Sequence, residues 1–148
     1  MFTTIVAGTD GSETAHKALE ASIDLARQSE ARLVIVSAYE PVDAGRSRAE
    51  EVGVPADVHW AVGPRRDVLE LLDESHRLAG AAGLNEVETV ARQGDAADAI
   101  IDVAEEQGAD LIVVGNKGMT GAKRFLLGSV PNRVSHHAPC SVLIVRTT

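Results

Sequence analysis

Thr3–Ser12 reads TTIVAGTDGS, a short apolar run that ends in a turn of glycine and small polar residues. Such a run predicts a buried strand followed by a loop. Ser12 is a good N-cap residue for a helix. The residues after it that share one helical face are apolar or small, namely Ala15, Ala18, Leu19, Ser22, Ile23 and Ala26. Their spacing predicts an amphipathic helix, so the chain opens with a strand, a turn and a helix.

Strands and helices continue to alternate along the rest of the chain. Apolar runs and period-two alternation predict strands at Arg32–Tyr39, Glu86–Gln93, Asp110–Gly115 and Ser141–Arg146. Helical spacing predicts helices over Asp67–Ala82, after a cap at Asp95, and from a cap at Ser129 to about His137. This order predicts an α/β fold: a single domain over residues 1–148, with a mainly parallel sheet and helices on both faces.

The composition is that of one globular domain. The chain has 148 residues, of which 45% are hydrophobic, and a formal net charge of −8. An acidic protein of this kind is not expected to bind nucleic acid, which needs a basic surface. No apolar stretch approaches the roughly 20 residues of a membrane helix, and residues 1–8 lack the basic start of a signal peptide. With Cys140 as its one cysteine, the protein is expected in the cytoplasm, away from membranes.

Positive charge is concentrated at the end of the sequence. After Asp110 there is no acidic residue, so residues 111–148 carry a net charge of +5, against −13 for residues 1–110. This asymmetry predicts one local anion site, although a solvated basic face would give the same count.

One loop in this basic region has the spacing of a phosphate site. Gly115 ends a predicted strand, Gly118 follows three positions later, and after nine intervening residues Gly128-Ser129 opens a helix. Glycine lets the backbone approach an anion closely, and the N–H groups and dipole of a helix N-terminus favour phosphate. Further hydrogen bonds and charge are available from Ser129, Lys117, Lys123 and Arg124. An ordinary loop with a capping serine is the alternative.

The loops that follow the predicted strands are the first candidates for binding residues, because open parallel sheets bind ligands beyond the carboxyl ends of their strands. These loops are Gly8–Ser12, Ala38–Pro41, Gly94–Ala96 and Gly115–Gly118. Asn116 and Lys117 enter the predicted site through the last of them.

Three signatures, in order, resemble those of the universal stress protein family. Members that bind nucleotides carry G-x2-G-x9-G-(S/T), matched here by Gly115, Gly118, Gly128 and Ser129. The turn VAGTDGS (Val6–Ser12) is typical of the family, as are SVPNRV (Ser129–Val134) and APCSVLIV (Ala138–Val145). The resemblance covers nearly the whole chain. It implies a Rossmann-like open sheet of five parallel strands in the order 3-2-1-4-5.

The resemblance also implies a binding site for an adenine nucleotide, ATP or cyclic AMP, with Mg²⁺ accompanying ATP. Near the adenine and ribose it places Ala7, Gly8, Thr9, Asp10, Ala38, Gly94 and Gly115. Around the phosphates it places Gly118, Gly128, Ser129 and Val130, with Asn116 and Lys117 in the same loop. Asp10 is the candidate metal ligand through its carboxylate.

A small regulatory protein that binds a nucleotide during the response to stress is the function that the resemblance implies. No residue of the glycine loop is an evident general base or nucleophile, so no catalytic residue is predicted. Cys140 is expected to pack as a small buried residue, and His136-His137 do not have the spacing of a chelating pair on a helix. A slow ATPase and a nucleotide-free interaction module are the alternatives, and the complete glycine motif counts against the second.

The last predicted strand should form an edge of the sheet. In the implied order 3-2-1-4-5 it is terminal, and its centre Val142–Val145 is a continuous apolar run. An exposed apolar edge is normally covered. We therefore expect a homodimer in which this strand pairs with its own copy about a two-fold axis.

Overall fold

The computed structural model describes residues 2–40, 65–116 and 127–147. In this part of the chain the strands are β1 (Thr4–Gly8), β2 (Arg32–Tyr39), β3 (Val87–Gln93), β4 (Leu111–Gly115) and β5 (Ser141–Val145). The helices are α1 (Glu13–Ser29), α2 (Arg65–Ala81), α3 (Ala96–Gln107) and α4 (Ser129–His137). Four residues predicted for the phosphate loop lie outside the described residues: Lys117, Gly118, Lys123 and Arg124.

The five strands form one parallel sheet in the order β3-β2-β1-β4-β5. The chain builds outward from β1 through β2 to β3 and then returns to the other side of β1 for β4 and β5. The predicted five-stranded open sheet is therefore confirmed, with its reversal of strand order beside β1. Within this sheet β3 and β5 are the edge strands.

The central strands are apolar throughout because helices cover both faces of the sheet. Successive residues of a strand point to opposite faces. Ile5 belongs to the core under α1 and α2, together with Leu72, whereas Val6 belongs to the core under α3 and α4, together with Ile100 and Val134. Among the described helices, none is both long and apolar enough to cross a lipid bilayer.

Side-chain caps determine where two of the helices begin, as predicted. At the start of α1, Ser12 Oγ accepts a hydrogen bond from the N–H of Ala15 at 3.1 Å. At the start of α3, Asp95 Oδ2 accepts one from the N–H of Asp98 at 3.0 Å. Both bonds satisfy N–H groups that have no partner inside the helix.

The start of α4 differs from the prediction, because Gly128 rather than Ser129 is the N-cap. The cause is a backbone contact. Gly128 N donates to Asn116 O at 3.0 Å, and the carbonyl of Gly128 already accepts the first helical bond, from Asn132 N at 3.1 Å. Ser129 is therefore the first helical residue, and the N-cap makes no side-chain hydrogen bond. Pro131 follows in the first turn, where a missing N–H is tolerated.

Asp110 ties β1 to β4 at the amino ends of the strands. Its carboxylate accepts hydrogen bonds from the N–H of Thr3 at 2.9 Å, from the N–H of Thr4 at 3.0 Å and from the Thr3 hydroxyl at 3.2 Å. Burial alone would raise the pKa of this carboxyl, but the hydrogen bonds outweigh it, so the pKa of Asp110 lies below its ordinary value.

Candidate functional site

A cavity opens at the carboxyl ends of β1, β2 and β4, beside the reversal of strand order. Open parallel sheets bind their ligands at this position. The cavity is lined by three strand ends and by the starts of α1, α3 and α4. The lining residues are Gly8, Thr9, Asp10, Ser12, Ala15, Val36, Ser37, Ala38, Ala96, Ile100, Val114, Gly115, Val130 and Pro131.

The floor of the cavity depends on a close contact between Gly8 of β1 and Ile100 of α3. A methyl group on Gly8 would overlap Cδ1 of Ile100 and lie 3.0 Å from its Cγ1. Ile100 is only 5% exposed and is part of the core under α3 and α4. Glycine at position 8 therefore lets the helix approach the strand at this point.

The turn after β1 is held by its own polar groups. Thr9 N donates to Val36 O at 3.0 Å, which continues the contact with β2. The Thr9 hydroxyl accepts from Gly11 N at 3.3 Å, and Asp10 Oδ1 accepts from Ser12 N at 2.9 Å. Gly11 has a φ of +84°, a conformation that favours glycine. The turn leaves Asp10 exposed at the rim of the cavity.

Asn116 joins the end of β4 to the start of α4 and to the residues after β5. Its Oδ1 accepts hydrogen bonds from the N–H and from the hydroxyl of Thr147, each at 2.9 Å. Its backbone N–H donates to Val145 O, and its carbonyl accepts from Gly128 N. The sequence predicts a binding role for Asn116, but its side-chain oxygen is already engaged and the residue does not line the cavity. Its observed contacts fix Gly115 relative to Gly128.

Six of the predicted binding residues line the cavity, namely Gly8, Thr9, Asp10, Ala38, Gly115 and Val130. Other predicted residues lie outside its lining. Ala7 is buried in the core under α1 and α2. Gly94 forms the turn after β3, where its N–H donates to Tyr39 O at 2.8 Å. Gly128 and Ser129 lie at the start of α4, next to Val130.

Eight further lining residues were not among the predicted nucleotide contacts, although two of them, Ser12 and Ala96, belong to the loops predicted as the first candidates for binding residues. The eight are Ser12, Ala15, Val36, Ser37, Ala96, Ile100, Val114 and Pro131. Helical spacing carried forward from the two loop positions reaches Ala15 and Ile100, which share their helix faces. That signal was therefore present in the sequence, one helical turn beyond each loop.

The N-terminus of α4 lies at the cavity and favours a negative group. Val130 and Pro131 line the cavity, and the first turn of α4 carries no acidic residue. N–H groups in a first turn have no carbonyl partner inside the helix, and the helix dipole adds partial positive charge there. One turn further on, Arg133 pairs with Asp98 of α3 and with Asp95, the N-cap of that helix. This geometry suits a phosphate or another anionic group.

Within the described ranges, no three histidine, cysteine or carboxylate side chains come together as a preformed metal site. Asp10, the predicted metal ligand, would therefore need oxygen atoms from a bound ligand beside it. Sites for Mg²⁺ commonly combine one or two carboxylates with phosphate oxygens, so this single carboxylate fits that use.

Cys140 packs at the margin of the core under α3 and α4. Burial, and to a lesser degree the negative charge of Asp110, raise the pKa of its thiol. The thiol therefore ionises less readily than a free cysteine, and Cys140 is half-buried where the sequence predicted a buried packing residue.

The fold and this cavity define a class of protein, the doubly wound α/β proteins that carry a ligand crevice where the strand order reverses. Residues 1–146 match the sequence model of the universal stress protein family. The chain belongs to that family.

The similarity to known proteins extends over nearly the whole chain. The universal stress protein Rv1636 of Mycobacterium tuberculosis H37Rv is 37% identical over 147 residues, which span 99% of this chain and 98% of that protein. A crystal structure of a universal stress protein in complex with cAMP is 34% identical, with a TM-score of 0.74 over 99% of each chain. The universal stress protein UspA from Lactobacillus plantarum is 22% identical, with a TM-score of 0.77 over 97% of each chain, and shares the fold.

Proposed function

We propose that this protein binds an adenine nucleotide, ATP or cyclic AMP, in the cavity and acts as a regulatory protein of the stress response in the cytoplasm. The observation that carries the proposal is the meeting of an aliphatic pocket and the N-terminus of α4 in one cavity. The relative that was solved in complex with cAMP supports it, because that protein is 34% identical over 99% of each chain.

The aliphatic part of the cavity is the proposed site of the base. Val36, Ala38, Ala96 and Ile100 supply apolar surface suited to a flat heterocycle. In this proposal Ala38, at the end of β2, contacts the adenine. Gly115, at the end of β4, contacts the ribose.

The start of α4 is the proposed site of the phosphates. Gly128 precedes the helix, and Ser129 and Val130 are its first residues. Their N–H groups and the helix dipole favour negative charge, and the exposed Ser129 hydroxyl adds a donor. Lys117 and Gly118 are proposed to complete the same loop.

Asp10 is the only ionisable side chain among the described lining residues. One of its carboxylate oxygens is engaged with the N–H of Ser12. The carboxylate is proposed to contribute to holding the Mg²⁺ ion that accompanies ATP. No second acid or base lines the described cavity beside it, so we propose binding without rapid hydrolysis. A slow ATPase is the alternative.

We also propose that β5 pairs with its own copy in a homodimer. This strand is an edge of the described sheet, and Leu143 at its centre is 40% exposed. Pairing of two such edges would cover both apolar runs and their unpaired backbone groups.

The identity of the bound nucleotide is the most direct test of the proposed function. The purified protein is denatured, released nucleotide is identified by mass spectrometry, and calorimetry measures binding of ATP, cyclic AMP and GTP. Intact ATP or cyclic AMP, with GTP bound more weakly, supports the proposal. Bound ADP with measurable turnover supports the slow ATPase, and failure to bind any nucleotide supports the interaction module.

A cavity-filling variant with a matched control tests the location of the site. Ala96 is half-buried and lines the cavity, whereas Ala81 is exposed at the end of α2. Ala96→Leu adds bulk where the base is proposed to lie and should weaken binding about tenfold or more. Ala81→Leu adds the same bulk elsewhere and should leave the affinity unchanged. Equal affinities of the two variants would place the nucleotide outside this cavity.

A further inference from the structure

Two walls of the cavity are joined by an ion pair that lies outside its lining. On α4, Arg133 places Nη2 2.9 Å from Oδ1 of Asp98 and Nη1 3.3 Å from Oδ2 of Asp95. The same Oδ2 caps α3 by accepting from the N–H of Asp98 at 3.0 Å. The guanidinium therefore bridges the middle of α4 to the first turn of α3.

The bridged segments are the parts of these helices that line the cavity. Ala96 and Ile100 contribute from α3, and Val130 and Pro131 contribute from α4. Each of these residues lies within about one helical turn of a member of the ion pair. A change in the spacing between the two helices would therefore change the width of the cavity.

Among the described residues, α4 is anchored at its start by the hydrogen bond from Gly128 N to Asn116 O and along its length by few buried side chains. The helix has nine residues, of which Pro131 and Val134 are buried, and its N-cap makes no side-chain hydrogen bond. A helix this short is not stable by itself and takes its position from tertiary contacts. A polar link from the middle of the helix is therefore expected to matter for the spacing between α4 and α3.

We propose that Arg133 is a positioning residue that holds α4 against α3 at the spacing that accepts the ligand; this inference rests on the proposed nucleotide binding. The side chains of Arg133, Asp95 and Asp98 are each 51% exposed. Ion pairs this exposed add little to global stability. The main effect of the ion pair is instead to set the spacing of α4 and α3, and with it the width of the cavity.

The test compares charged and uncharged ligands in the parent and in Arg133→Gln. Calorimetry measures binding of ATP, cyclic AMP and adenosine. Positioning predicts a loss of about three- to fivefold for all three ligands, because the wall moves whatever the ligand charge. In about 1 M salt, which screens the ion pair, the parent should approach the variant in its affinity for adenosine. A loss confined to ATP would show direct contact with phosphate and overturn the proposal, as would no loss.

A second ion pair, between Arg92 of β3 and Glu106 of α3, provides the matched control. Arg92 Nη2 lies 2.6 Å from Oε2 of Glu106, toward the other end of α3 and away from the cavity. Arg92→Gln should leave the affinity for adenosine unchanged. Adding Asp98→Asn to Arg133→Gln should cause no further loss of affinity, because both changes break the same ion pair. Equal losses in Arg92→Gln and Arg133→Gln would indicate general loosening of α3 and overturn the positioning role.

Amide hydrogen exchange without ligand separates this inference from the proposed function. Arg133→Gln should speed exchange in the first turn of α3 and along α4, whereas Arg92→Gln should not. Unchanged exchange in both helices would refute the positioning role. A parent protein that binds no adenine compound would refute the nucleotide-binding function instead, and the exchange data would still decide whether Arg133 holds α4.

Discussion

Gly8 and Ile100 lie so close together that a methyl group on Gly8 would overlap Cδ1 of the isoleucine. The contact joins β1 to α3 at the floor of the cavity. Gly8→Ala is expected to lower the free energy of unfolding by about 1–3 kcal/mol, because the buried isoleucine has to move. Urea unfolding measures this loss, and calorimetry should show weaker ligand binding by the same variant.

A compensating change tests the cause of that loss. Ile100→Val removes Cδ1 and by itself should cost about 0.5–1.5 kcal/mol. In the Gly8→Ala background it should recover stability, since the overlapping atom is gone. Gly115→Ala is the control, because a methyl group there would lie 3.5 Å from the Thr14 carbonyl and overlap nothing. A double variant that is less stable than Gly8→Ala alone would contradict this explanation.

The C-terminal ends of α1 and α3 have the same geometry with different residues. Glu30 follows α1 at a φ of +57°, and Gly108 follows α3 at +63°. The next residues donate equivalent hydrogen bonds of 2.9 Å, from Ala31 to Ala26 and from Ala109 to Ala104. This left-handed conformation favours glycine, so Glu30→Gly should raise the free energy of unfolding by about 0.5–1 kcal/mol.

The reciprocal change is the control for that prediction. Gly108→Ala should lower the free energy of unfolding by about 1 kcal/mol in thermal or urea unfolding, since it introduces a side chain at a positive φ. The free energy of unfolding is therefore expected to rise in Glu30→Gly and to fall in Gly108→Ala. A destabilised Glu30→Gly would mean that the glutamate side chain makes a favourable interaction that outweighs its backbone cost.

Asp110 should make stability depend on pH in the acid range. Its pKa is lower in the folded protein than its ordinary value, so the folded state binds the proton less readily than the unfolded chain. The resulting stabilisation is fully present above the ordinary aspartate pKa of about 3.9 and is lost as the pH falls through the folded-state pKa. Urea midpoints below about pH 4 should therefore fall more steeply for the parent than for Asp110→Asn.

An exposed aspartate provides the comparison for this pH dependence. Asp24 lies on the exposed side of α1, where it pairs with Arg27 at 3.1 Å. Asp24→Asn should follow the pH profile of the parent closely, because surface ion pairs contribute little. If the urea midpoints of the parent and of Asp110→Asn fell in parallel with pH, the hydrogen bonds from Thr3 and Thr4 to Asp110 would not be the source of the acid sensitivity.

The proposed dimer predicts different effects at two exposed leucines. Leu143 on β5 is 40% exposed and Leu69 on α2 is 37% exposed. Leu143→Lys should convert a dimer to a monomer in light scattering, because a lysine on an edge strand opposes pairing. Leu69→Lys should leave the dimer intact. A parent that is monomeric at micromolar concentration would end this proposal.

Local signals predicted most of the fold. β2 has its predicted bounds, Arg32–Tyr39, and Ser12 and Asp95 cap their helices as expected. These features depend on residues a few positions apart. The cap of α4 was misassigned to Ser129, because the contact that decides it comes from the carbonyl of Asn116, across a loop.

The residues of the candidate site at the strand ends could be predicted from the sequence, whereas the contacts between its helical walls could not. Glycine spacing and the reversal of strand order pointed to Gly8 and Gly115, and both line the cavity. The contact of Ile100 with Gly8 and the pairing of Arg133 with Asp95 join elements far apart in the sequence. Helical spacing places Ile100 on the cavity side of α3, but its contact with Gly8 and the pairing of Arg133 depend on how the helices pack on the sheet, which no spacing within one element gives.

The hydrogen bonds between Asn116 and Thr147 connect the cavity to the order in which the chain is synthesised. Val145 and Thr147 leave the ribosome after every residue that lines the cavity. Until they reach Asn116, the residue that holds Gly128 at the start of α4 lacks its own support. A chain in which β5 and Thr147 have not yet folded against Asn116 therefore lacks the hydrogen bonds that support the start of α4, and this wall of the cavity is among the last parts to be fixed.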